Sequence, residues 1–134
     1  MPTVSAADLM VQLQAVGAPA HYTLLDARSA ERYRGEHEPI DAVAGHIPEA
    51  LNRPTTQNVQ PNGCFKPAAQ LKAEFGALLT EVDPAHVVHY CGSGITACHN
   101  LFAMELAAVR GSRIYPVSWS EWIADPARPR FSDC

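Results

Sequence analysis

Apolar residues recur at helical spacing over Leu9, Met10, Leu13 and Val16, and predict a first helix. Ser5 is its expected N-cap, Asp8 lies in its acidic first turn, and Gly17 and Pro19 end it. Residues 22–26 form a short β-rich run. Residues 29–34 read as a short helix capped by Ser29 and stopped by Gly35, followed by a polar loop over 36–45. A small strand is expected over 50–52, then a loop over 55–63 rich in Thr, Gln, Asn and Pro. Leu71, Phe75, Leu78 and Leu79 mark a further amphipathic helix. A strand over 86–90, a helix over 96–109, a strand over 114–117 and a short helix over 119–122 complete the pattern.

Short strands alternating with helices indicate an α/β fold: a mostly parallel sheet of about five strands with helices on both faces. Such sheets place ligand sites at the carboxyl ends of their strands. The loop after residues 86–90 and the corner Asp26-Ala27-Arg28 both lie at such ends, so they are expected to face one pocket. No repeat or linker divides the chain, and residues 1–134 are expected to form a single domain.

Composition narrows the class further. An apolar share of 47 % suits a packed core, and no apolar run approaches the roughly 20 residues that span a membrane. A net charge of −4 offers no basic face for nucleic acid. No signal peptide is apparent, so a cytoplasmic protein is expected. The cysteines at 64, 91, 98 and 134 are then read as reduced thiols, with Cys134 a terminal thiol without a role.

The chemistry concentrates in Cys91-Gly92-Ser93-Gly94-Ile95-Thr96-Ala97-Cys98, set between a strand and a helix. Backbone N–H groups of a tight glycine loop and the positive end of a helix both favour a thiolate. Cys91 is therefore the candidate nucleophile. Gly92 and Gly94 permit close backbone approach, and the Ser93 and Thr96 hydroxyls are candidate donors to an anionic sulfur. A cysteine phosphatase would place an arginine six positions after the cysteine, where this chain has Ala97. A phosphate-binding Gly-Lys-Ser/Thr ending is absent too. His89, Cys91, Cys98 and His99 crowd together, but six residues separate the two cysteines, against two to four in the usual zinc spacing. No metal and no cofactor are expected. Cys98 and His99 are read as first-turn packing of the helix.

This loop closely resembles the active-site loop of mercaptopyruvate sulfurtransferases, within the rhodanese superfamily. Leu25-Asp26-Ala27-Arg28 with Glu31-Arg32-Tyr33-Arg34-Gly35 resembles the segment after the family's second strand. Gly45-His46-Ile47-Pro48-Glu49-Ala50-Leu51-Asn52 is similar to its Gly-His-Ile-Pro-Gly-Ala motif. Ser118-Trp119-Ser120-Glu121-Trp122 is similar to the Gly-x-Trp-x-Glu-Trp close of its catalytic domain. The blocks stand in the family's order and span nearly the whole chain.

The resemblance implies a three-layer rhodanese-like fold and a double-displacement sulfur transfer without a cofactor. Cys91 would take a sulfane sulfur from a small anionic donor and pass it to a thiol such as thioredoxin or glutathione, or to cyanide. Ser93 would also give a proton to a developing enolate. Arg32 matches the substrate-binding arginine, with Gly92, Gly94 and Ile95 completing the binding loop. Asp26 would orient Arg32 or cap local backbone. Arg28 and Arg34 are explained by solvent exposure, His46 by a structural turn, and Trp119 and Trp122 by core packing.

Three departures bear on the donor. The family's full-length enzymes have two such domains, and this chain resembles only the second; it reads either as a single-domain enzyme with a more open pocket or as a domain whose N-terminal rhodanese partner is missing. A further arginine follows the family's Glu-Pro-Glu-Pro run, where this chain has Ile40 after Glu36-His37-Glu38-Pro39. Thiosulfate-preferring relatives carry Arg-Lys where this chain has Gly92-Ser93. The expected donor is therefore 3-mercaptopyruvate, with thiosulfate the lesser one. The alternatives are a non-enzymatic binding or regulatory module of the same fold, and a persulfide carrier fed by a partner protein.

Overall fold

The computed structural model describes residues 3–14, 22–36, 45–48, 50–80, 82–91, 96–116 and 118–129. The elements are α1 (Ala6–Gln14), β1 (Thr23–Asp26), α2 (Ala30–Arg34), β2 (Leu51–Asn52), α3 (Ala68–Leu78), β3 (Val87–Tyr90), α4 (Ala97–Leu106), β4 (Arg113–Ile114) and α5 (Ser118–Trp122). Short 3-10 turns at Thr55–Asn58 and Pro84–His86 precede α3 and β3. Among the described residues, no helix is long and apolar enough to cross a membrane.

Local chemistry sets the helix ends. The Ser5 hydroxyl accepts the Asp8 N–H (3.2 Å) and the Asp8 carboxylate accepts the Ser5 N–H (3.1 Å), a reciprocal capping box. Those bonds hold the Asp8 carboxyl below its usual range. The Ser29 hydroxyl accepts the Arg32 N–H, and Gly35 closes α2 at φ 84°, a left-handed conformation that suits a residue without Cβ.

All four strands are parallel, in the order β2-β1-β3-β4. Among the described residues the sheet has four strands against the roughly five expected, and Thr3 adds an isolated bridge to Ile114. Side chains alternate across the sheet. Leu24, Val88 and Tyr90 face α1 and α5, packing with Leu9, Tyr115, Trp119 and Trp122. Leu25 and Val87 face α3 and α4, packing with Leu71, Phe75, Ala103 and Met104. The helices on both faces give the three layers expected.

After β1 the chain runs outward to β2; after β3 it runs the other way to β4. The crevice between β1 and β3 is therefore the topological switch point, where ligands enter open α/β sheets. Asp26 and Tyr90 are registered neighbours at its lip, so Ala27 and Cys91 follow side by side. The Ala27 N–H donates to the Tyr90 carbonyl (2.8 Å).

Candidate active site

A cavity of about 470 Å³ opens at this switch point, lined by Cys91, Thr96, the run from Ala27 to Arg32, and the run from Pro54 to Gln57. The Asp26 corner and the cysteine thus share one pocket.

Cys91 follows β3 directly and is 1 % exposed. Its sulfur accepts the Ala97 N–H at 3.3 Å. Ala97 is the first residue of α4, so this N–H is one of the donors a helix leaves without an intrahelical partner. The Cys91 backbone is clamped as well. Its N–H donates to the Ser118 hydroxyl (3.1 Å), which donates onward to the Tyr115 carbonyl (2.8 Å). Its carbonyl accepts the Trp119 N–H (2.9 Å). Ser118 holds a left-handed φ of 55° to make this clamp, a strained choice for a residue with a Cβ.

Thr96 occupies the N-cap position of α4 but makes no capping bond with its side chain. It is exposed and faces the cavity. Gly92, Ser93, Gly94 and Ile95 lie outside the described residues, as does Ile40.

Asp26 is fully buried, and its carboxylate takes Arg28 as its partner, not Arg32. It accepts the Arg28 N–H (2.9 Å), Nε (3.1 Å to Oδ1) and Nη2 (2.7 Å to Oδ2). Of the two roles expected for it, capping local backbone is the one present. Arg28 in turn corrects the expectation of a solvent-exposed side chain. It is 3 % exposed, donates to the Gly45 carbonyl (2.6 Å) and sits 4.8 Å over the Trp119 ring. The reason is that Gly45 and Trp119 close over the guanidinium while the Asp26 carboxylate compensates its charge inside the core. Beside it the Tyr90 hydroxyl accepts the Ile47 N–H (3.1 Å). Burial, reinforced by the Asp26 charge, pushes the Tyr90 phenol well above its ordinary range.

Arg32 is half-buried on the cavity wall. Arg34 meets Glu36 at the surface, 2.7 Å between Nη2 and Oε2. His46 is buried, with its Nδ1 2.6 Å from the Tyr33 carbonyl and its ring stacked on Tyr33. The Tyr33 hydroxyl donates to the Ala50 carbonyl, so the turn from Gly45 is tied to α2 as its structural reading requires. Trp119 and Trp122 are fully buried.

The crowding of His89, Cys91, Cys98 and His99 in sequence disperses in space. His89 points to Ser112 (3.0 Å), and His99 Nδ1 lies 3.1 Å from Asn58 Nδ2. His99 packs its ring on Phe65, but Cys98 is exposed and does not serve the packing expected of it, because it falls on the solvent side of α4. Among the described residues, no three His, Cys, Asp or Glu side chains are grouped to hold a metal. His89 Nδ1 is buried without a partner, and desolvation lowers the His89 pKa to about 3.

Arg53, Asn58, Asn100 and Ser118 carry much of the hydrogen bonding around the cavity, and sequence patterning did not single them out. Isolated polar residues resemble surface positions, and their partners lie up to 47 residues away.

Comparison with known proteins agrees with this geometry. The profile of the family described as "Rhodanese-like domain" matches residues 6–125. A Pseudomonas aeruginosa protein named "Probable 3-mercaptopyruvate sulfurtransferase" is 52 % identical over 126 residues, covering 94 % of this chain and 43 % of its own length. A Mycobacterium tuberculosis protein, provisionally named thiosulfate sulfurtransferase SseB, is 44 % identical over 110 residues, covering 80 % of this chain and 37 % of its own. The chain thus spans less than half the length of these relatives. The crystal structure of Tum1 from Saccharomyces cerevisiae superposes with a TM-score of 0.80 at 25 % identity, covering 98 % of this chain and 47 % of that one.

Proposed function

This chain belongs to the rhodanese-like domain family, and we propose that it is a sulfurtransferase whose nucleophile is Cys91. The observation that carries this reading is the Ala97 N–H aimed at a buried sulfur on the wall of the switch-point cavity. An amide donor at the positive end of a helix stabilises negative charge on sulfur, in the thiolate and in the persulfide that follows it.

In this reading the donor is 3-mercaptopyruvate, in keeping with the name of the Pseudomonas relative. The Cys91 thiolate attacks the donor's sulfur. The S–S bond forms as the donor's C–S bond breaks, and its electron pair leaves as the enolate of pyruvate. Ser93 gives the enolate a proton. Arg32 pairs with the donor's carboxylate, and Thr96 with the amides of Gly92, Gly94 and Ile95 holds the outer sulfur. An acceptor thiol (thioredoxin or glutathione) or cyanide then attacks that outer sulfur, and Cys91 leaves as thiolate. Asp26 holds Arg28. Reduced thiols on both partners suit the cytoplasm.

Initial rates with 3-mercaptopyruvate and with thiosulfate, using cyanide as acceptor, test the proposal. Mercaptopyruvate should give the larger kcat/KM, and Arg32→Ala should raise its KM about tenfold while the fold stays intact. A larger kcat/KM for thiosulfate would overturn the donor. No turnover of either by the folded chain would favour a binding module of the same fold.

A further inference from the structure

The run from Pro54 to Gln57 on the cavity lining is held by a closed ring of buried polar bonds. Arg53 directly follows β2, and its N–H donates to the Asp26 carbonyl (2.9 Å). Its Nε donates to Asn58 Oδ1 (2.9 Å). Asn58 Nδ2 donates to Asn100 Oδ1 (2.6 Å), and Asn100 Nδ2 donates back to the Arg53 carbonyl (2.8 Å). Asn58 and Asn100 are fully buried and Arg53 is 5 % exposed.

Every direction in the ring is forced. A guanidinium only donates, so Asn58 must turn its oxygen to Arg53 and its NH₂ to Asn100. A backbone carbonyl only accepts, so Asn100 must turn its NH₂ to Arg53 and its oxygen to Asn58. Either amide, if flipped, would set like groups against each other. The ring therefore has one arrangement, and it joins two parts of the site. One is the turn from Thr55 to Asn58, which supplies a cavity wall. The other is the first turn of α4, where Asn100 stands one turn beyond Ala97, the residue that donates to Cys91.

We infer that Asn58 and Asn100 are positioning residues, which lock the cavity wall and the Ala97 N–H at one spacing around Cys91. This rests on the reading of Cys91 as the nucleophile. The role needs no contact with substrate. A small displacement of the helix start or of the wall is enough to spoil the approach of donor to sulfur.

Two variants test it in the full chain. Asn100→Ala opens the ring. Asn58→Asp keeps an acceptor for Arg53 and sets a negative charge beside its guanidinium, but turns a second acceptor toward Asn100 Oδ1. Two readouts are taken well below the melting temperature. One is the rate of Cys91 alkylation by iodoacetamide at fixed pH, located by peptide mass. The other is the half-saturating 3-mercaptopyruvate concentration in single-turnover persulfide formation. Both variants should slow alkylation several-fold and raise half-saturation about tenfold. If both fold and both readouts stay within about twofold of the unsubstituted chain, the inference is overturned. If Asn100→Ala does not fold, Asn58→Asp decides alone, because a purely structural ring would be rescued by its acceptor for Arg53. Slower alkylation in the variants, with no sulfur taken up even by the unsubstituted chain, would sink the sulfurtransfer reading and leave the positioning role standing.

Discussion

Two arginines are buried beside the cavity, Arg28 on its lining and Arg53 next to the lining run from Pro54, and they are held by different means. Arg28 meets a carboxylate that is itself fully buried, Asp26, at 2.7 Å. Arg53 meets Glu74 at 2.9 Å, but that side chain is 28 % exposed, and the guanidinium also donates to Asn58 Oδ1 and the Gln57 carbonyl (3.0 Å). It lies 4.6 Å over the Phe75 ring. Arg28 thus meets a fully buried carboxylate, while Arg53 is spread over neutral acceptors with a partly exposed ion pair at its edge. The lining run that carries Arg28 and Arg32 is anchored by charge compensation; the run from Pro54 is anchored by amide geometry.

The comparison breaks most visibly at Asp26. Asp26→Asn removes the buried carboxylate that meets the Arg28 guanidinium, and urea denaturation should show a loss of about 3–5 kcal/mol. A loss under 1 kcal/mol would mean that Gly45 and Trp119 suffice for Arg28 and that the two walls do not differ.

His89 extends the contrast to a titratable side chain with no carboxylate partner at all. The fold keeps it neutral, with its pKa lowered from 6.5 to about 3 by desolvation. As pH falls below about 6.5 the unfolded chain takes the proton first, so stability is greatest above that pH. It declines by up to about 1.4 kcal/mol per unit toward pH 3. Unfolding free energy measured from pH 7 to pH 4 should show this slope, and His89→Gln should flatten it. A slope unchanged in the variant would place the acid sensitivity elsewhere.

The smallest effect belongs to the far end of the Arg53 wall. Burial works against the Glu74 carboxylate, but hydrogen bonds from Arg53, Gln70 and Lys66 outweigh it and hold its pKa below the usual range. Its partial exposure and the other acceptors around Arg53 limit its weight. Glu74→Gln should cost about 0.2–1 kcal/mol in the same denaturation assay. A loss near that of Asp26→Asn would show that Arg53 leans on its carboxylate as Arg28 does.

The same contrast explains what the sequence made legible. Elements governed by neighbours a few residues apart were readable. Ser29 and Gly35 bound α2 at both ends, Ser5 and Asp8 cap α1, and the apolar runs at 24–25 and 87–88 form the central parallel pair. The placement of Cys91 and the Asp26 corner on one pocket followed from the fold class, since both lie at carboxyl ends of strands. What depended on distant partners was not readable. Arg28 has the sequence surroundings of a surface residue, yet Gly45 and Trp119 close over it. The stretch from Thr55 has the composition of a loose loop, but Asn58 is fully buried because Arg53 and Asn100 meet it there. The strand expected over 114–117 pairs only through Arg113 and Ile114, since the chain turns at Pro116 to start α5.

The central claim is that Cys91 carries the transferred sulfur. Intact-mass measurement of the chain after incubation with 3-mercaptopyruvate tests it most directly, with peptide mapping to locate the adduct. The account predicts one added sulfur, on Cys91, removed by a thiol acceptor and absent in Cys91→Ser. Sulfur on Cys64 or Cys98 instead, or an adduct that persists in Cys91→Ser, would contradict it.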